Sequence, residues 1–211
     1  DQKKESVTSY MGKEASEQKF KESVGTATHI HLSTHGYFYP DPREVDYAME
    51  KESINEEDLT FRGGTNYANW TFVSNENPLM RSGLVLAQAN DVWHRSAKDE
   101  HEDGILTAQE VAHIDMQKTE LVVLSACETG LGDIQGSEGV YGLQRSFKMA
   151  GVKYLIMSLW QVPDKETAEF MTTFYMNLTK SENIKEAFNE TQMNMRKKYD
   201  PYYWAAFILI E

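Results

Sequence analysis

The chain has 211 residues, 40% of them apolar and 26% charged, an ordinary globular composition that excludes the disordered, fibrous and membrane-spanning classes. Its 21 basic and 33 acidic side chains leave a formal charge of −12, which repels phosphate backbones and anionic lipid, so neither nucleic acid nor a membrane is expected as a direct partner. Its one cysteine cannot close an internal disulfide and suits a reducing cytoplasm.

The length fits a single domain, here taken as residues 1–211, large enough to bury a core without metals or disulfides. No apolar run approaches the roughly 18 residues of a membrane span, and no leader pattern opens the chain. The polar start at Asp1, without Met, reads as a piece of a longer protein whose missing N-terminal part carries regulation. Three Asn-x-Thr triplets, at Asn69, Asn177 and Asn189, read as chance in a cytoplasmic protein.

In chain order, a short helical pattern follows Ser16, and Thr28 to Thr34 alternates as a strand ending at His35-Gly36. Residues 37–78 lack sustained periodicity and collect Pro40, Pro42, Gly63 and Gly64, which reads as a long insertion. Ser82 to Ala89 reads as a buried strand, followed by a charged excursion to Glu102. Thr107 and Glu110 form a capping box that opens a short helix. Glu120 to Ser125 is the clearest strand, apolar on both faces as central parallel strands are.

After a glycine-rich loop, Val140, Leu143, Phe147 and Ala150 recur at helical spacing until Gly151. Val152 to Leu159 is another buried strand, and Asp164 is expected to cap a helix carrying Ala168, Met171 and Tyr175. An amphipathic helix spans about Ile184 to Lys198, and Tyr202 to Ile210 reads as the last strand. Strands alternating with helices predict an α/β fold with a mostly parallel sheet.

Reactive groups in such sheets collect at the carboxyl ends of strands. His35 and Cys127 both follow apolar strands and precede glycine-containing loops, at Gly36 and Gly130. A cysteine peptidase needs a thiolate, a proton donor for the leaving amine and amides facing the oxyanion. Cys127 and His35 supply the first two if their strands are neighbours, and the backbone N–H groups of Gly36 and Cys127 supply the third. From these features alone, a small buried hydrophobe is an equal reading of Cys127.

The run Ser125-Ala126-Cys127-Glu128-Thr129-Gly130 and its continuation Gly136-Ser137-Glu138-Gly139-Val140-Tyr141-Gly142-Leu143 resemble the nucleophile region of CHAT domains. Further matches are His31-Leu32-Ser33-Thr34-His35-Gly36, Asn77-Pro78-Leu79, Ser82-Gly83-Leu84 and Asp103-Gly104-Ile105-Leu106-Thr107. Ser158-Leu159-Trp160-Gln161-Val162-Pro163-Asp164 and Tyr203-Trp204-Ala205-Ala206-Phe207 complete the set. The resemblance implies a caspase-like three-layer α/β/α sandwich related to caspases and separases, often joined to tetratricopeptide repeats. It implies a cysteine endopeptidase acting on a protein substrate with His35 and Cys127 as the catalytic dyad, and no cofactor. The alternative from another class is a caspase-like scaffold that binds partners without cutting them.

Several residues carry second readings. His29, His31 and His35 alternate on one predicted strand face, but ligands along a single strand rarely converge on one ion, so no metal is expected and His29 and His31 read as packed or hydrogen-bonded. Asp99, Asp103, Gly104, Thr107 and Glu110 partly match a calcium-loop template, against which His101 and the capping role of Glu110 count. Glu128, Asp133, Glu138 and Asp164, with Trp160, fall in loops that ring the predicted cleft; most read as solvated charges, and one or two as the lining of a pocket for a basic side chain. Separases, which cut after arginine, carry an acid near Trp-x-Val, where this chain has Gln161. Trp160, Tyr202, Tyr203 and Trp204 read as core rather than as a recognition surface.

Overall fold

The computed structural model describes residues 6–38, 75–89, 103–125 and 138–211. Ser16 accepts a hydrogen bond from the Lys19 amide and opens α1 (Glu17–Val24), which turns Phe20 and Val24 inward. β1 (His29–Leu32) follows, and the chain leaves it at Ser33-Thr34 to enter β2 (His35–Phe38). The single strand expected over Thr28 to Thr34 is therefore shorter, and His35 starts a different strand. The Thr34 hydroxyl donates to the Val85 carbonyl, which draws the chain across to β3 (Ser82–Val85).

β2, β3 and β4 (Ile105–Thr107) make a three-stranded antiparallel sheet, with His35 opposite Val85 and Gly83 opposite Thr107. Ser82 to Val85 thus belongs outside the main sheet, which the apolar run alone did not indicate. β2 takes up Tyr37 and Phe38, the first two positions of the expected insertion; residues 75–80 turn back toward β3, and 39–74 lie outside the described residues.

The main sheet has the order β1-β5-β6-β7, with β5 at Leu121–Leu124, β6 at Tyr154–Ser158 and β7 at Phe207–Ile210. β1, β5 and β6 run parallel, and β7 closes the sheet antiparallel to β6. Side chains alternate across β5 and β6, and both faces are covered. Val122, Leu124, Leu155 and Met157 pack with α1, α2 (Ala108–His113) and α3 (Glu138–Met149). Leu121, Val123 and Ile156 pack on the other side with α4 (Asp164–Ser181) and α5 (Ile184–Arg196). This is the mostly parallel sheet that the strand and helix pattern predicts, in the three-layer α/β/α sandwich that the family resemblance implies. Among the described residues no helix is long and apolar enough to cross a membrane.

The helix ends follow local chemistry. Thr107 and Glu110 form the predicted capping box, with the Thr107 amide donating to Glu110 Oε2 at 2.9 Å and the Glu110 amide to Thr107 Oγ1 at 3.2 Å. Gly151, at φ +101°, stops α3 as expected. Asp164 does not cap α4: Pro163 occupies the cap position, and Asp164 is the first helical residue, where its charge faces the positive end of the helix dipole. The last strand starts at Phe207, not Tyr202, because Asp200-Pro201 opens the short helix α6 (Pro201–Trp204). Asn177, one of the Asn-x-Thr asparagines, is buried in α4 and donates to Thr191 of α5 at 3.1 Å.

Polar contacts tie the small sheet to the main body. Glu17 is 1% exposed, accepts the Gly104 amide at 3.0 Å and pairs with Lys21 at 2.6 Å. Lys21 also reaches Glu110 at 3.2 Å, which links α1 to α2. Burial pushes the Glu110 carboxyl up, but hydrogen bonds from Thr107 and the Lys21 charge outweigh it and hold the group below the usual carboxylate range.

Gly104 adopts φ +80°, and a Cβ there would lie 2.5 Å from the Ala89 nitrogen and 2.6 Å from the Ala87 oxygen. Gly104→Ala is expected to lower unfolding free energy by about 1–3 kcal/mol. Gly25→Ala, at an open position in ordinary helical backbone, is expected to be neutral or stabilising by up to about 1 kcal/mol. Urea melts of both variants check the contrast.

Candidate active site

The site grows from two adjacent strand exits. In the parallel pair β1–β5, Leu32 lies opposite Leu124, and the Ser125 amide donates to the Leu32 carbonyl at 3.1 Å. Three positions beyond Leu32 in sequence is His35, and three positions beyond Leu124 is Cys127. β1 and β5, the strands that precede these two residues in sequence, are therefore neighbours.

His35 is exposed at the start of β2, and Gly36 is buried opposite Leu84. β2 is an edge strand of its sheet among the described residues, so one row of its peptide groups faces away from β3. Cys127, Glu128 and Asp133 lie outside the described residues. Glu138 is the first residue of α3, and its side chain too lies outside them. His35 does not share a strand with His29 and His31, because the chain changes sheets at Thr34, so the predicted row of three histidines on one strand face is not formed.

His31 is held between two other residues. Its Nε2 lies 2.8 Å from the Ser125 hydroxyl, and its Nδ1 lies 3.1 Å from the Tyr175 hydroxyl of α4. The two rings are tilted with centroids 5.6 Å apart. His31 keeps an exposed edge, and withdrawal of the rest of the ring from water holds its pKa below the usual histidine range. Burial likewise pushes the Tyr175 phenol up to about 12. Both groups are thus neutral at pH 7.

A group of aromatic side chains lies beyond β6. Trp160 donates its indole N–H to the Tyr202 carbonyl at 2.9 Å, and the Tyr202 hydroxyl donates to the Gln161 carbonyl at 2.9 Å. Trp160 is half-buried against the second core, as are Tyr203 and Trp204, whereas Tyr202 is 54% exposed. Three of the four aromatics are thus partly core, and Tyr202 is a surface residue. Asp164 is exposed one residue after Pro163.

The sequence reading gave no role to Tyr175, Ser125 or Arg81. Tyr175 sits on the apolar face of α4, 144 residues from His31 in sequence, and nothing local announces that pairing. Arg81, fully buried just before β3, is indistinguishable in the sequence from a surface arginine. The calcium-loop template loses a ligand among the described residues, since Glu110 already serves Thr107 and Lys21. Asp99 and His101 of that template lie outside the described residues.

Residues 2–211 match the model of the CHAT domain family. Tetratricopeptide repeat protein 28 of Homo sapiens is 30% identical over 109 residues, 50% of this chain and 4% of that protein. Its Mus musculus counterpart is 30% identical over 130 residues, 60% of this chain and 5% of that protein. The chain spans only a small fraction of the length of these curated relatives.

The hydroxyl of Thr34 fixes the turn that leads into His35. Thr34→Val is expected to cost about 0.5–1.5 kcal/mol by removing one hydrogen bond, and Thr34→Ser to retain most of it. Urea denaturation of the two variants measures the difference.

Proposed function

The chain belongs to the CHAT domain family, and from that membership we propose that it is a cysteine endopeptidase that cleaves a protein partner, with Cys127 as nucleophile and His35 as its acid-base partner. The observation that supports this reading best is the register of β1 against β5, which sets the two residues equal distances in sequence beyond paired strand ends. The exposure of His35 at the edge of β2 suits a group that must meet a substrate.

In the proposed reaction the Cys127 thiolate attacks the scissile carbonyl, forming a carbon–sulfur bond as the carbonyl π electrons move to oxygen. The N–H groups of Gly36 and Cys127 receive the resulting oxyanion. Collapse expels the amine, which takes a proton from His35, and leaves a thioester. Water, deprotonated by His35, then hydrolyses the thioester and regenerates the thiol. Glu128, Asp133, Glu138, Trp160 and Asp164 are assigned to the substrate cleft, with the acids favouring a basic residue before the scissile bond.

The curated relatives are named as tetratricopeptide repeat proteins, which supports control by a repeat region elsewhere in the protein. In this reading the domain is cytoplasmic and works on a protein substrate delivered or gated by that region. Cleavage of a cognate partner by the 211-residue chain is expected to be slower than by the full-length activated protein. Equal rates would remove the repeat region from the control mechanism.

The decisive experiment is labelling with a peptidyl acyloxymethyl ketone. Modification at Cys127 that depends on His35 is expected, with Cys127→Ala unlabelled and inactive and His35→Ala at least about 10²- to 10⁴-fold slower in peptide hydrolysis. Substantial turnover by either variant overturns the dyad, whereas the absence of both labelling and turnover in the unaltered chain leaves a binding scaffold as the reading.

A further inference from the structure

We infer that His31, clamped between Ser125 and Tyr175, is a positioning residue that holds the exit of β5 toward Cys127; the inference rests on the proposed cysteine-histidine reaction. Ser125 is the last described residue before the segment that carries Cys127, and it is fixed twice from β1. Its amide is held by the Leu32 carbonyl at 3.1 Å and its hydroxyl by His31 Nε2 at 2.8 Å. Beyond the end of β1 the chain passes through Ser33 and Thr34 to His35, the first residue of β2. One short piece of β1 therefore grips the approach to the nucleophile and leads directly into the acid-base residue.

The hydrogen-bond chain has a direction. A neutral imidazole offers one donor and one acceptor, so Tyr175, His31 and Ser125 must align head to tail. A phenol is a stronger donor than an aliphatic hydroxyl, so Tyr175 O–H donates to Nδ1, and Nε2–H donates to Ser125 Oγ. This order leaves the Ser125 hydroxyl hydrogen to donate onward, and it fixes one tautomer and one ring orientation for His31. Tyr175 comes from α4, whose Phe170, Met171 and Phe174 are locked into the second core, so the outer end of the chain is anchored in rigid structure. A side chain whose polar atoms are both engaged by partners from β5 and α4 is built for orientation, not for proton transfer to substrate.

A displacement of about 1 Å at a catalytic group costs on the order of 10²-fold in rate. Cutting this chain should therefore affect turnover far more than folding. The test uses the full-length protein with His31→Leu, Tyr175→Phe and Ser125→Ala, with His31→Gln as the conservative variant that keeps one donor and one acceptor. Iodoacetamide labelling is followed as a function of pH at the peptide that carries Cys127, the one cysteine of these 211 residues. The kcat and KM of peptide cleavage and the melting temperature are measured alongside.

The expected result is a fall in kcat of about 10- to 100-fold with KM nearly unchanged. The midpoint of the labelling profile should move toward the free-thiol value of about 8.5 as the nucleophile loses its alignment with His35. His31→Gln should recover much of both. If His35→Ala shifts the labelling profile but His31→Leu leaves it and kcat unchanged, the dyad stands and the positioning role is overturned. If the variants lower the melting temperature and leave both readouts intact, His31 is structural only and the inference falls. If His35→Ala itself changes nothing in labelling or turnover, the dyad reading has failed and this inference falls with it.

Discussion

The parallel pairing of β1 with β5 is the constraint on which the rest of the molecule depends. Parallel neighbours end at the same end of the sheet, so the chain leaves Leu32 and Leu124 on one side. The register is held by alternation across the sheet. Ile30 and Leu32 pack toward the first core, while His29 and His31 point to the other face. A slip of one residue would turn the histidines into an apolar core and expose the two aliphatic chains, an exchange that burial energetics do not permit.

On the second face, β1 meets α4 through a polar contact where β5 and β6 meet it through apolar ones. An aliphatic side chain at position 31 would fill similar space under Tyr175, but it would strip a partner from the phenol and from Ser125. Tyr175 and Ser125 are half-buried, so each hydroxyl would still reach water, and the loss is that of an ordinary hydrogen bond, about 1 kcal/mol. His31 satisfies both hydroxyls at once, and its lowered pKa keeps it in the neutral form that can do so.

The sequence yielded the central layer because its signals there are local. The apolar stretch at Leu121 to Leu124, the capping box at Thr107 and Glu110, and the stop at Gly151 each report on their own few residues, and each is found. Misreadings occur where a distant partner decides. Thr28 to Thr34 alternates correctly for one strand, but the Val85 carbonyl takes the Thr34 hydroxyl and moves His35 to another sheet. Ser82 to Val85 is apolar enough for the main sheet and pairs elsewhere. Pro163 and Pro201 shifted two boundaries, by occupying a cap and by opening a short helix. At the site, the sequence reads His31 as a packed or hydrogen-bonded strand residue, but its partners on β5 and α4 come from sheet order and helix docking, which no local pattern encodes.

The two arms of the proposed dyad rest on unlike foundations. β5 is buried along its whole length between two apolar layers, so the strand leading toward Cys127 is set by non-directional packing that tolerates small changes in solvent. β2 belongs to a smaller antiparallel sheet held to the body partly by directional contacts. These are the Thr34 hydroxyl on Val85, the buried Glu17 carboxylate on the Gly104 amide, and the Lys21 bridge from Glu17 to Glu110. A buried carboxylate keeps its alignment only while its partners stay in place, because losing one leaves a desolvated charge. Among the described residues, the strand that begins at His35 therefore rests on contacts more easily disturbed than those around β5. The contacts of His31 and Leu32 with Ser125 are the point at which the histidine arm is referred back to the rigid strand.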